Sequence, residues 1–499
     1  MRTPADGIPP IIAVDRGAAI PLHQQISTGF RSAILRRTLL PGQRVPSSRT
    51  LATELSISRI PVLGAYAELI AEGYFEGRGG SGTFISRSLP EPPKPRQRPF
   101  PRSGGALSGP RPLAQRAGLV PAREIHPWMR GWGAFGLHQP AIEGFPFKAW
   151  SSLAARHSRN PRATLLHRLD SLGSERLRQA VCAYLRTARS VRCEPQQIMI
   201  VSGSQQALDI CARALCDPGT PVWVEEPGYW LARSAFLSAG ARLVPVPVDG
   251  EGLDVAAGIE ACRNARVAHV TPSHQFPLGA TLSPARRLRL LEWAQRSGAW
   301  IVEDDYDGEF RYESAPVASL QGLDQNSRVI YIGTLSKVLF PSLRLGYMVI
   351  PADILEAFTA IRCAMDIAPT YLSQEVLADF LCEGHFGRHI RRMRSLYRER
   401  RTQLVAALAE HFGAGLEIHG ADAGLHLTAT WTRGEPDREV ATRAARDGMW
   451  LWPLSPSYVG DAPRPGLILG YGSTAAAAIP QAVRQLRNLF PPAAKGRAR

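Results

Sequence analysis

From residue 22 onward apolar residues return at every fourth position, placing Leu22, Ile26, Phe30 and Ile34 on one side of a helix that Pro21 starts and Leu40-Pro41-Gly42 stops. A short second helix carrying Leu51 and Leu55 follows Arg44-Val45-Pro46-Ser47-Ser48-Arg49, in which Ser47 or Ser48 supplies the cap. The turn Ser56-Ile57-Ser58 opens a third helix, with Pro61 in its first turn, Val62, Ala65, Leu69 and Ile70 facing inward, and Gly73 at its end. The period then changes to two: Tyr74-Phe75-Glu76 and Thr83-Phe84-Ile85 predict strands joined by the turn Arg78-Gly79-Gly80-Ser81-Gly82. Between Ser86 and Pro121 periodicity gives way to a run of prolines. This predicts three parts: an N-terminal domain (19–87), a tether (88–121) and a larger domain (122–490).

In the larger part, short β-branched runs alternate with helical patterns: Ile198 to Val201, Val222 to Glu225, Leu243 to Val248, Ala268 to Thr271, Trp300 to Glu303 and Val329 to Ile332. That order predicts an α/β fold with a doubly wound parallel sheet, whose ligand sites lie just beyond the strand ends. Arg388 to Arg401 reads as an amphipathic helix, with Ile390, Met393, Tyr397 and Leu404 inward and a solvated face of arginines.

Charge and cysteine content narrow the reading. The 499 residues carry 59 Lys and Arg against 43 Asp and Glu, a formal +16, which suits a polyanionic partner where it is clustered. The seven cysteines contain no Cys-x-x-Cys pair, so neither a disulfide framework nor a zinc site is indicated. The first residues lack a signal-peptide core, and no apolar run is long enough to span a bilayer. A soluble cytoplasmic protein is expected.

The strand ends hold a consistent set of chemistry. Ser202-Gly203-Ser204-Gln205 turns into a helix whose free N–H groups suit a phosphate. Tyr229 can stack on a flat ring, His274 and Gln275 can reach a ring hydroxyl, and Asp304 and Tyr306 leave one strand together. Asp305 can replace Asp304 at this level of reading. The last run continues through Gly333, Thr334, Ser336 and Lys337 to Arg344. An aldehyde cofactor such as pyridoxal 5'-phosphate needs this kit: a lysine amine, hydroxyls and an Arg fork for its phosphate, and a carboxylate beside its pyridine nitrogen.

Two resemblances extend the reading. Pro46-Ser47-Ser48-Arg49 with Leu51, Ala52 and Leu55, then Ser58-Arg59, Ala65-Tyr66, Glu72-Gly73-Tyr74 and Gly80-Ser81-Gly82-Thr83-Phe84, resemble a GntR-type winged helix-turn-helix. The resemblance implies that Arg49, Ser58 and Arg59 meet the phosphates or base edges of operator DNA. It also implies that the wing, including Arg78, Gly80 and Gly82, touches the minor-groove side. Ile60-Pro61 departs from the two polar residues usual at the start of the recognition helix.

Residues 122–490 resemble a fold-type I pyridoxal-phosphate-dependent aminotransferase, and the whole chain resembles a MocR-type transcriptional regulator. This implies a large doubly wound domain with a small α+β subdomain, and Lys337 as the covalent attachment point. Asp304 then pairs with the pyridine nitrogen, Tyr306, His274 and Gln275 approach the ring oxygen, Tyr229 stacks, and Ser204, Gln205, Thr334, Ser336 and Arg344 surround the phosphate. It further implies a head-to-tail homodimer and a small-molecule effector, either the cofactor or an amine; the alternative is a working aminotransferase with an appended DNA-binding domain. Phe276 stands where aminotransferases usually place asparagine before proline. The segment Arg464 to Tyr471 carries no arginine within its strand, leaving Arg464 and Arg233 as candidates for an effector carboxylate.

Overall fold

The computed structural model describes residues 12–78, 81–88, 113–121, 124–159, 170–312, 318–432 and 434–490. Gly80 of the expected wing and residues 89–112 of the expected tether lie outside these segments. The chain divides into two compact units, Met1–Arg111 and Pro112–Arg499. No helix among the described residues is long and apolar enough to cross a membrane.

The first unit contains helices α1 (Leu22–Leu35), α2 (Ser48–Glu54) and α3 (Arg59–Ala71), then the antiparallel strands β1 (Phe75–Arg78) and β2 (Gly82–Ile85). Ser47 caps α2 by accepting the Thr50 N–H at 3.1 Å. Ile26, Phe30 and Ile34 are buried as their spacing requires, and Phe30, Tyr66 and Phe75 meet edge to face at 5.1–5.8 Å. Tyr66 also donates to the Pro46 carbonyl at 2.8 Å, tying α3 to the start of α2. Ile70 departs from expectation: Val62, Ala65, Tyr66 and Leu69 fill the core, whereas Ile70 is 46 % exposed. Val62, Ala65, Tyr66 and Leu69 centre the stripe on Val62 and Leu69, and position 70, about 100° round the helix from Leu69, falls at its edge.

In the second unit the strands are β3 (Ile198–Val201), β4 (Pro221–Glu226), β5 (Arg242–Asp249), β6 (Gly252–Leu253), β7 (Val267–Val270), β8 (Trp300–Asp305), β9 (Val329–Thr334) and β10 (Gly346–Val349). They form one sheet in the order β3-β10-β9-β8-β7-β4-β5-β6. The sheet is mixed: β4, β5, β7, β8 and β9 pair in parallel, while β10 runs antiparallel between β9 and β3. β10 follows β9 by a short loop, and a return that short places a strand antiparallel to its predecessor.

A second sheet, β11 (Glu417–His419), β12 (His426–Thr430), β13 (Trp452–Pro453) and β14 (Gly466–Gly470), has the order β11-β12-β14-β13 and is antiparallel throughout. The helix His385–Phe412 packs beside it and buries Ile390, Met393, Tyr397 and Leu404. Its arginines are not simply solvated. Arg394 donates to the Glu309 carbonyl, Arg398 to that of Tyr312, and buried Arg400 to that of Gly472 and to Glu143. These guanidiniums hold irregular segments whose carbonyls have no ladder partner.

Candidate cofactor and effector site

The site lies at the carboxyl ends of β4, β7, β8 and β9. Gly203 enters the helix Ser204–Leu215 at φ 85°, a left-handed conformation that favours glycine. A Cβ there would stand 3.3 Å from the Arg344 guanidinium, so the lost side chain leaves room between a helix N-terminus and a cation. Arg344 itself donates to the Ser202 carbonyl at 2.9 Å. Ser336 Oγ and Gln205 Oε1 are buried without a hydrogen-bond partner, and buried Thr334 accepts the Ser336 N–H at 3.3 Å. Buried polar atoms rarely stay unpaired, so this cradle fits a phosphate.

β8 places successive carboxylates on opposite faces. Asp305 turns to Arg189, which grips it through two nitrogens, and to Tyr331, whose hydroxyl donates at 2.5 Å. Asp304 is 3 % exposed, its Oδ1 has no partner, and its nearest cation candidate is His269 Nε2 at 3.8 Å. Of the two carboxylates left open by the sequence, Asp304 is the one free to take a protonated pyridine nitrogen. His269 is a polar side chain in the otherwise apolar strand β7, a signal that the sequence reading passed over.

Lys337 Nζ lies 4.0 Å from the Tyr306 ring centroid and 5.8 Å from that of Tyr229. Tyr306 shares a 3.1 Å hydrogen bond with His274 Nδ1, which is also 3.1 Å from Asp307 Oδ2. Gln275 goes elsewhere: its amide donates to Glu225 at 3.2 Å and to the Pro227 carbonyl at 2.8 Å, bracing the loop beneath the site. Burial lowers the Lys337 ammonium to about 8, against the raising pull of Asp307 and Asp304. A neutral amine is the nucleophile toward an aldehyde. Colour formation on adding pyridoxal phosphate to cofactor-free protein is therefore expected to accelerate with pH and level off just above pH 8. A midpoint near the ordinary lysine value would contradict the burial of Lys337.

The wall opposite consists of Phe276, which the sequence marks as a departure from the aminotransferase pattern, and of His138, His426, Trp452 and Ile468, which no sequence motif marks. His138 faces Phe276 at 5.7 Å and Trp452 at 6.3 Å, and Ile468 packs with Leu137, Phe276 and Tyr306. Phe276 and Trp452 also bound an adjoining cavity of about 600 Å³ that reaches Glu124, His126, Arg233 and Arg438. In the first unit Arg49, Ser58 and Arg59 are exposed, Arg59 donating to Ser48 Oγ at 3.0 Å. Arg78 pairs with Glu76 at 2.6 Å and lies over the Phe84 ring, while Gly82, at φ 108°, sits against Arg44.

These features define a winged helix-turn-helix unit joined to a unit with an aminotransferase fold. Residues 22–85 match the gntR family of bacterial regulatory proteins, and residues 143–450 match aminotransferase class I and II. The chain belongs to the MocR-type transcriptional regulators. It is 40 % identical over 481 residues to the probable rhizopine catabolism regulatory protein MocR of Rhizobium meliloti, covering 96 % of each chain. It is 30 % identical to the pyridoxine biosynthesis transcriptional regulator PdxR of Corynebacterium glutamicum, covering 93 % of this chain and 94 % of that one. Among solved structures, the α-aminoadipate aminotransferase of Thermus thermophilus, complexed with N-(5'-phosphopyridoxyl)-L-leucine, superposes with a TM-score of 0.69 at 28 % identity. That match covers 76 % of this chain and 96 % of the enzyme.

Proposed function

We propose that the chain is a transcriptional regulator that holds pyridoxal phosphate covalently on Lys337 and changes its grip on operator DNA when the cofactor, or an amine reacting with it, binds. The observation that carries this reading is the convergence of a buried, easily deprotonated Lys337, an unpaired Asp304 carboxylate and the Gly203–Arg344 cradle in one pocket. When bound, the cofactor supplies an aldehyde for amines and an electron-withdrawing ring. Asp304 would hold its ring nitrogen protonated, Tyr306 backed by His274 would face the ring oxygen, and Ser204, Ser336 and Arg344 would take the phosphate. The test is the visible spectrum of the purified protein: a yellow chain bleached by borohydride supports the reading, and one that cannot be coloured overturns it. Sustained transamination at ordinary enzyme rates, about 1 to 10³ per second, would favour the enzymatic alternative.

DNA recognition rests on the first unit. Arg49→Ala and Arg59→Ala are each expected to weaken operator binding by about 1–3 kcal/mol without altering cofactor absorbance, as gel-shift titration and spectra of the same samples would report. Affinity should fall steeply with salt as phosphate-bound counterions are released. A head-to-tail homodimer would match a repeated operator. Sedimentation as a monomer with undiminished cofactor occupancy would refute that arrangement.

A further inference from the structure

Resting on the reading of Lys337 as the cofactor's anchor, we infer that the effector is a primary amine bearing neutral hydroxyl groups where an amino acid carries its α-carboxylate. An amino acid would need a cation for its carboxylate. Arg233 is buried and spends its guanidinium on the carbonyls of Ser457 at 2.8 Å and Pro456 at 2.7 Å. Arg464 forms an ion pair with Glu417 at the edge of the second sheet. Neither remains for a ligand. Arg438 lines the adjoining cavity and lies with its Nε 3.3 Å from Ser455 Oγ.

The wall beside Lys337 is apolar where a clamp would be wanted. Ile468, on β14, is 1 % exposed and contributes to a cluster with Leu137, Phe276 and Tyr306. A carboxylate entering there loses its water and gains no counter-ion, a costly exchange.

Beside the hydroxyls of Tyr229 and Tyr306, two imidazoles face this space. His138 is held at φ 62°, its ring set among Phe276, Tyr229 and Trp452. Its ring nitrogens have no hydrogen-bond partner among the described residues. His426 lies 5.4 Å from Phe276 and spends Nε2 on the Pro277 carbonyl at 3.3 Å, which leaves Nδ1. Burial first, and then the nearby Lys337 for His138 and the nearby His274 for His426, hold both well below the ordinary histidine range, so both are neutral at physiological pH. A neutral imidazole offers one donor and one acceptor, which suits a hydroxyl and not an anion. A site built to hydrogen-bond a hydroxyl also rejects an analogue that lacks it.

The experiment titrates the cofactor-loaded, full-length chain with matched triplets: an amino acid, its amino alcohol and the plain amine. Alanine, leucine and phenylalanine each supply one triplet. Binding is followed by the absorbance of the bound cofactor and by thermal melting. The amino alcohols are expected to bind at least about tenfold more tightly than the acids, the loss of a hydrogen bond to a charged group being worth that much. Ile468→Arg should reverse the order by supplying the missing cation. His138→Phe should abolish the advantage of the alcohol over the plain amine, and it decides the matter independently if Ile468→Arg does not fold. A coloured wild-type protein that prefers the acids, or treats all three members alike, refutes the inference alone. A chain that never takes up the cofactor refutes the underlying reading as well.

Discussion

Replacing Lys337 with alanine is expected to give a colourless protein that loses pyridoxal phosphate on dialysis, with affinity lowered about a thousandfold, or about 4 kcal/mol. The chain has four lysines, Lys94, Lys148, Lys337 and Lys495, because nearly all its positive charge is arginine. Lys148 is exposed, and Lys94 and Lys495 lie outside the described segments, whereas Lys337 points between the Tyr229 and Tyr306 rings. The phosphate cradle and Asp304 remain in the variant, so weak, non-covalent binding should persist and be measurable by equilibrium dialysis. Operator binding should survive while its response to added cofactor disappears. Unchanged absorbance after the substitution would show that another amine carries the cofactor.

Arg189→Met should have the largest structural effect. Both partners of the Arg189–Asp305 pair are buried, with side-chain exposures of 3 % and 2 %, and the guanidinium also reaches the Gly308 carbonyl and Ser273 Oγ. Removing the arginine strands the carboxylate in the core, at a cost of about 3–5 kcal/mol, and should lower the melting temperature of the larger unit by on the order of 5 °C. The double variant Arg189→Met with Asp305→Leu should recover most of that loss, because a buried ion pair replaced by apolar groups is often close to neutral. Failure of the rescue would place the importance of Arg189 in its carbonyl and hydroxyl contacts. Since Asp305 ends β8 between Asp304 and Tyr306, the single variant should also disturb cofactor absorbance.

The motifs were legible because each lies within a few residues of a strand end, where a reader of the sequence knows to look. Ser204, the pair Asp304 and Tyr306, and Lys337 follow three different strands, yet each strand advertises itself by its own β-branched run. The wall made by His138, His426, Trp452 and Ile468 gives no such signal: three members come from short strands of the second sheet and His138 from a segment far earlier in the chain, so only packing brings them together. β10 was hidden for another reason, since Gly346 to Val349 reads as the tail of the lysine loop and nothing local says that it reverses direction. The basic helix shows how charge can mislead. Composition reveals the arginines of His385–Phe412, but not that Arg394, Arg398 and Arg400 meet backbone carbonyls.

Ile60 stands 78 % exposed at the start of α3, with Leu63, one turn on, 45 % exposed. A hydrocarbon side chain at the entrance to the major groove has no hydrogen bond to offer a base, but it can cover the methyl group that distinguishes thymine. Such a contact draws its free energy from apolar surface leaving water, so it is indifferent to ionic strength. The part of the operator free energy that depends on base sequence would thus outlast the phosphate contacts as salt is raised, and the ratio of affinities between right and wrong sites would hold while overall binding weakens.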